Sequence, residues 1–175
     1  MKPICSLIFT TLLSFNTFAS DVTVYINGGI LTQSCNVSSN DLIKNVVFDD
    51  LNPKDFTTIG SVSEFQPVTI HLENCTGHVN NMSYQFSGEA DELDSTLLKV
   101  LGQPNNTRNI TASGLAIEIA NENKQKINLN TKITLNEIIN SKTYDLIFNL
   151  RYKSTQKDIG SGDASSLLYL DIYYE

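Results

Sequence analysis

"YDLIFNLRYK", residues 144–153, alternates along nearly its whole length. Tyr144, Leu146, Phe148, Leu150 and Tyr152 fall on one side. Asp145, Asn149, Arg151 and Lys153 fall on the other, with Ile147 the one exception. Successive side chains of an extended strand point to opposite faces, so this stretch predicts a strand with one face in a core and one toward solvent. Half-polar strands belong to antiparallel sheets. Strands of a parallel sheet are buried on both sides and are apolar on both.

The same period recurs along the chain. "ILTQSCNV" aligns Leu31, Gln33, Cys35 and Val37, and "VTIHLEN" sets Val68, Ile70 and Leu72 against Thr69, His71 and Glu73. "MSYQFS" aligns Met82, Tyr84 and Phe86, and "LAIEIANE" aligns Leu115, Ile117 and Ile119 with Glu118 opposite. "LLYLDIYY", residues 167–174, aligns Leu168, Leu170, Ile172 and Tyr174. Shorter strands are expected at Val46–Phe48 and Ile133–Leu135. The one helix expected covers Ser95–Leu101, capped by Asp94 or Ser95. Turn-rich segments such as "DDLNPKD", "CTGHVNN", "SGEADELD" and "STQKDIGSGDASS" separate the runs. About seven half-buried strands with no dividing linker predict an all-β antiparallel sandwich of immunoglobulin type.

The first 19 residues read as a secretory signal peptide. Lys2 gives a positive start, Ile4–Phe15 is largely apolar, and Thr17 and Ala19 stand at −3 and −1 of a cleavage before Ser20. The apolar run is too short to span a bilayer. Cleavage removes Cys5 and leaves Cys35 and Cys75, an even pair in an oxidising compartment, which predicts a disulfide. Closing that loop stabilises by about 4 kcal/mol on the chain-entropy model. Two cysteines so far apart do not form a metal site.

The full chain carries a formal charge of −7, which disfavours nucleic acid as a partner, since phosphate binding needs clustered Lys and Arg. No catalytic constellation is legible. His71 lies on the polar face of a strand and His78 in a turn, and both are expected to be solvated. The cluster "EADELD" reads as a solvated loop and lacks the glycine of an EF-hand. No catalytic residue, metal or cofactor is expected.

Directly behind the leader, "DVTVYINGGI" (residues 21–30) places Val22, Val24, Ile26 and Ile30 on one parity with Gly28 between them. Read from its residues alone, this segment serves either as a donated strand or as the first strand of an ordinary closed sandwich turning at Gly28 and Gly29. The other end of the chain is an apolar-faced strand with no later strand to cover it, which would be an aggregation hazard if left bare.

Set side by side, these features resemble the subunits of bacterial chaperone–usher fimbriae, in particular the minor adaptor subunits of type 1-like pili. "DVTVYINGGILTQSCNV" is similar to a pilin N-terminal extension running into the first strand. "VTIHLENC" resembles the strand bearing the second cysteine, and "YQFSGEAD" the segment after it. Gly162, fourteenth from the end, and the penultimate Tyr174 match the family's C-terminal pattern. The resemblance implies an immunoglobulin-like sandwich lacking its last strand, with residues 1–19 a signal peptide, 20–31 a donor-strand extension and 32–175 the incomplete pilin domain. It implies that Val22, Val24, Ile26, Gly28 and Ile30 complete a neighbouring subunit. It implies a groove flanked by the first strand and by Leu167–Tyr174, with Gly162, Leu168, Leu170, Ile172, Tyr174 and Glu175 forming the chaperone and groove strand. The implied partners are neighbouring pilus subunits, a periplasmic chaperone and an outer-membrane usher. The implied destination, reached through the periplasm, is a fimbrium at the cell surface. The competing expectation is a secreted monomeric sandwich that binds carbohydrate.

Overall fold

The computed structural model describes residues 33–102 and 110–174. The leader, the donor residues Val22, Val24, Ile26, Gly28 and Ile30, and Glu175 lie outside them. Among the described residues there are nine strands: β1 (Ser34–Val37), β2 (Gln66–Thr76), β3 (Met82–Ser87), β4 (Leu98–Lys99), β5 (Leu115–Asn121), β6 (Lys126–Ile127), β7 (Lys132–Thr134), β8 (Thr143–Ser154) and β9 (Tyr169–Tyr174). Two 3₁₀ turns, Ser39–Asp41 and Pro53–Asp55, are the only helical elements described. One sheet runs β1-β2-β8-β5-β4 with β6 added to β5, and the other runs β7-β3-β9. Every strand pairing is antiparallel.

The alternation of residues 144–153 organises the larger sheet. Across β2 and β8, Val68 faces Phe148 and Ile70 faces Leu146; across β5 and β8, Ile117 faces Tyr152 and Ile119 faces Leu150. Registers of matching parity put all the apolar rows on one face. Met82, Tyr84 and Phe86 of β3 supply the opposing layer, and the Phe86 and Phe148 rings meet across the sandwich at 4.7 Å. A sheet can bury an apolar face only against another layer.

The polar side of β8 is less open than alternation alone suggests. Asn149 is buried and donates to the Asn121 carbonyl at 2.8 Å. Glu118 on β5 is also buried, bound by Arg151 Nε at 2.6 Å and Lys153 Nζ at 3.1 Å. The Arg151 guanidinium in turn lies 4.3 Å over the Phe65 ring. Burial pushes the Glu118 carboxyl up, and the two cations outweigh it, so it titrates below the ordinary range.

Cys35 and Cys75 are bonded, tying β1 to the end of β2 with Cα atoms 3.9 Å apart. The β1–β2 register shifts between Ser34 and Asn36, so one strand carries an extra residue there. Asn74 lies in that stretch with φ of 54°, the left-handed region that asparagine tolerates better than most residues.

Two expectations are corrected. Ser95–Leu101 is not a helix. Asp91 Oδ1 takes the N–H groups of Leu93 and Asp94, and Asp94 Oδ1 takes that of Thr96. Such side-chain bonds divert the backbone from a helical ladder, and Leu98–Lys99 then joins the sheet as β4. Val46–Phe48 is not a ladder strand either. It alternates in burial without a strand partner among the described residues.

Candidate functional site: an open groove beside the last strand

Strand β9 pairs with β3 along one edge, and its other edge carries no ladder among the described residues. Its residues alternate: Tyr169, Asp171 and Tyr173 are exposed, while Leu170, Ile172 and Tyr174 are half-buried. Leu168, just before the strand, is half-buried as well. Large aliphatic side chains on the inner face of a sandwich are normally buried outright. Here Leu168, Leu170 and Ile172 look onto a groove of about 1270 Å³. The core itself forms its floor, with Val68, Ile70, Phe86, Ile117, Phe148 and Leu150 lining it.

The far wall corrects an expectation. Only Val37 of β1 reaches the groove; the lining is supplied instead by residues 41–51, which follow β1. Val46, Phe48 and Leu51 pack against the core, while Ile43 and Val47 are exposed. The Phe48 ring meets Tyr152 edge-on at 4.7 Å. The Tyr152 hydroxyl donates to the Ala164 carbonyl at 2.8 Å, linking β8 to the segment that leads into β9.

That segment is held by close backbone contact. The N–H of Ala112 donates to Asp163 O at 3.0 Å, and the N–H of Asp163 donates to Ile110 O at 2.8 Å. A Cβ on Gly162 would lie 2.6 Å from Ala112 N and closer still to Ile110 O. Glycine is what permits this approach. Ser166 Oγ adds a bond to Lys99 O at 2.5 Å. At the other end, Tyr174 stands opposite Met82 in the register. Burial pushes its phenol up, against a smaller opposing pull from the Cys35 backbone.

The groove is thus an apolar slot between a strand edge and a wall that are both without ladder partners among the described residues. Chemically it can accept an extended chain, whose backbone would pair along β9 and whose alternate side chains would enter the slot. Among the described residues no three His, Cys, Asp or Glu side chains converge on a metal position.

The histidines are exposed, as expected, as are Glu89 and Glu92 of the acidic loop, and each also has a polar partner. His71 Nδ1 lies 2.6 Å from Asp41 Oδ2, and His78 pairs with Asn140. Within "EADELD", Glu89 and Glu92 both bind Lys99 Nζ, at 2.8 and 3.0 Å. Reading residues by parity missed Asp41, which is buried where the groove wall begins. Its only sequence signal was its place after "SSN", a turn-forming run.

A family model described as "Fimbrial protein" matches residues 24–175. The chain is 29% identical to the fimbrial-like protein YcbU of Escherichia coli K12, with 98% of this chain and 96% of that protein covered. It is 31% identical to the fimbrial-like protein YdeS of the same strain, covering 86% and 85%. It is 27% identical to the type 1 fimbrial subunit of Salmonella typhimurium, covering 87% and 82%. Among solved structures, the P pilus rod subunit PapA superposes with a TM-score of 0.65 at 17% identity, covering 81% of this chain and 99% of that one. A type I fimbria protein of Burkholderia pseudomallei superposes at 0.61 with 20% identity, covering 80% and 88%. The fold is the immunoglobulin-like sandwich shared with these proteins.

Proposed function

The chain belongs to the fimbrial protein family, and from that premise we propose that it polymerises into a fimbria by donor-strand exchange. Members of this family are structural components of the surface fibre and not enzymes. In the proposed cycle a periplasmic chaperone first lends a strand to the groove and protects its apolar floor. At the outer-membrane usher, the N-terminal extension of another subunit takes the chaperone's place. This chain's own extension, residues 20–31, completes a neighbour in turn, with Val22, Val24, Ile26 and Ile30 as apolar anchors and Gly28 where backbone must come close. Four aliphatic side chains moving from water into a groove contribute about 6–12 kcal/mol gross, at roughly 1.5–3 kcal/mol each. Gly162, Leu168, Leu170, Ile172, Tyr174 and Glu175 form the strand that both the chaperone and the incoming extension meet, with the Glu175 carboxylate anchoring to basic chaperone residues. Its place in the fibre is that of a minor adaptor contributing to adhesion.

The observation that carries this reading is the row Leu168, Leu170 and Ile172, half-buried above a groove of about 1270 Å³ on a strand whose outer edge carries no ladder among the described residues. The test mixes the purified chain with extension peptides of the subunits encoded beside it, its own Asp21–Gln33 among them, and follows capture by fluorescence anisotropy. At least one peptide is expected to bind and to displace a co-purified chaperone. Capture of none, with the chain running as a clean monomer on size exclusion, would falsify the reading. Gly28→Leu in the donated peptide is expected to weaken capture at least tenfold, because a side chain would collide where backbone approaches.

A further inference from the structure

The groove wall raises a physical question. Residues 42–51 join no ladder among the described residues, and Leu42, Ile43 and Val47 are largely exposed. A segment so weakly tied would be expected to wander, and the width of the groove with it.

The answer lies where the wall begins. Beyond Val37, which pairs with Leu72, the β1–β2 ladder continues for one more bond: Ser38 N–H donates to the His71 carbonyl at 2.8 Å. The returning bond would run from His71 N–H to the Ser38 carbonyl. That carbonyl is already taken by the N–H of Asp41, at 2.9 Å, in the 3₁₀ turn. The His71 N–H donates instead to Asp41 Oδ2, also at 2.8 Å. A carboxylate thus stands in for the missing backbone acceptor, ending the ladder and letting the chain leave the larger sheet for the groove rim. The side chain of Asp41 is only 3% exposed. It further receives His71 Nδ1 at 2.6 Å and Lys44 Nζ at 2.5 Å, the latter reaching back from the wall itself. A buried carboxylate is tolerated only when its oxygens are paired in this way.

We propose that Asp41 is a positioning residue for strand capture: its carboxylate, gripped by His71 and Lys44, fixes where the wall leaves the sheet and so holds the groove at the width an extended chain needs. This inference rests on the donor-strand reading for its purpose, but not for its geometry. The test therefore has two independent readouts on the purified chain. The first is hydrogen exchange of the Asp41 and His71 amides, both hydrogen-bonded where the wall begins, relative to β5. In Asp41→Asn, which keeps the shape and loses the charge, exchange of these two amides is expected to rise about tenfold with β5 unchanged. The second is the rate of peptide capture. Asp41→Asn is expected to slow it about tenfold, and Lys44→Met about threefold. A core control, Ile119→Val, is expected to leave it within about twofold. Protection of these amides and capture both equal to wild type in Asp41→Asn would overturn the assignment. So would an equal slowing by Ile119→Val, since the effect would then be one of general stability. If the wild-type chain captures no peptide, the donor-strand reading fails, and the exchange readout alone decides on Asp41.

Discussion

Gly162 and Asp41 show how single residues shape the groove by opposite means, one by having no side chain and the other by burying a charged one. At Gly162 an added Cβ meets backbone on two sides, at Ala112 N and Ile110 O, and backbone cannot swing away as a side-chain tip can. Gly162→Ala is therefore expected to destabilise by about 1–3 kcal/mol, the usual range of overpacking, read as a lower urea midpoint. Asp41 is one of three carboxyls that bear on the expected acid behaviour. Its hydrogen bond from Lys44, then those from the His71 backbone and ring, hold its carboxyl far below the usual carboxylate range. Glu118 is held low by Arg151 and Lys153, and Asp94 chiefly by its hydrogen bond from Thr96. Each folded value lies below the unfolded value of about 4, so the stabilisation is full above that value. It is lost as pH falls through the unfolded value toward the folded one. These three carboxyls are expected to make stability decline as pH falls below about 5. Asp41→Asn should make that acid limb shallower in urea titrations at pH 3 and pH 6; an unchanged limb would exclude Asp41 as a contributor. Little of this was legible beforehand. The Gly162 position was flagged by resemblance alone, and the Asp41–His71 pair spans 30 residues with no periodic signal to reveal it.

Elements were legible in proportion to how completely they are partnered. Strands β2, β5 and β8 all pair on both edges, and β2 and most of β8 keep their period of two from sequence to structure, whereas β5 is buried on both faces, Ala116 and Glu118 included. The wall at 42–51 has the alternation of a strand, with Val46 and Phe48 inward and Val47 outward, yet has no strand partner among the described residues. Ser95–Leu101 was misread because one turn of apolar spacing cannot distinguish a helix from a bend, and the Asp91 and Asp94 side chains settle it locally. Strand β9 lies between these cases, paired on one edge and open on the other. Its two faces should respond differently to substitution. Leu170→Glu or Ile172→Glu would place a charge over an apolar floor. Either is expected to abolish peptide capture, and to lower the cellular level of the chain by exposing it to proteolysis. Asp171→Ala on the outer face removes a bond from Ser87 at 3.0 Å and should leave capture within about twofold. Equal losses from both faces, measured by anisotropy, would contradict the groove assignment.

For the whole molecule, the proposed donor-strand cycle requires that the sandwich reach its full stability only when another chain supplies a strand. Phe86 and Phe148, which join the two layers, also line the groove floor, so the core and the binding site share the same side chains. Capture and folding are therefore linked: an occupant that binds the folded groove and not the unfolded chain stabilises by mass action. At a peptide concentration one hundred times its Kd, the gain is about 2.7 kcal/mol. For a domain of this size each kcal/mol moves the midpoint by about 2–4 °C, so a captured extension peptide is expected to raise Tm by about 5–10 °C. The rise should grow with the logarithm of peptide concentration, as linkage requires. A peptide of the same length with Ser at its alternating aliphatic positions should give no rise, because main-chain pairing along β9 would remain while the groove stayed empty. Differential scanning calorimetry over a hundredfold range of peptide would distinguish the outcomes. A concentration-independent Tm, or an equal rise with the Ser-substituted peptide, would mean that the side chains facing the groove are not what completes this fold.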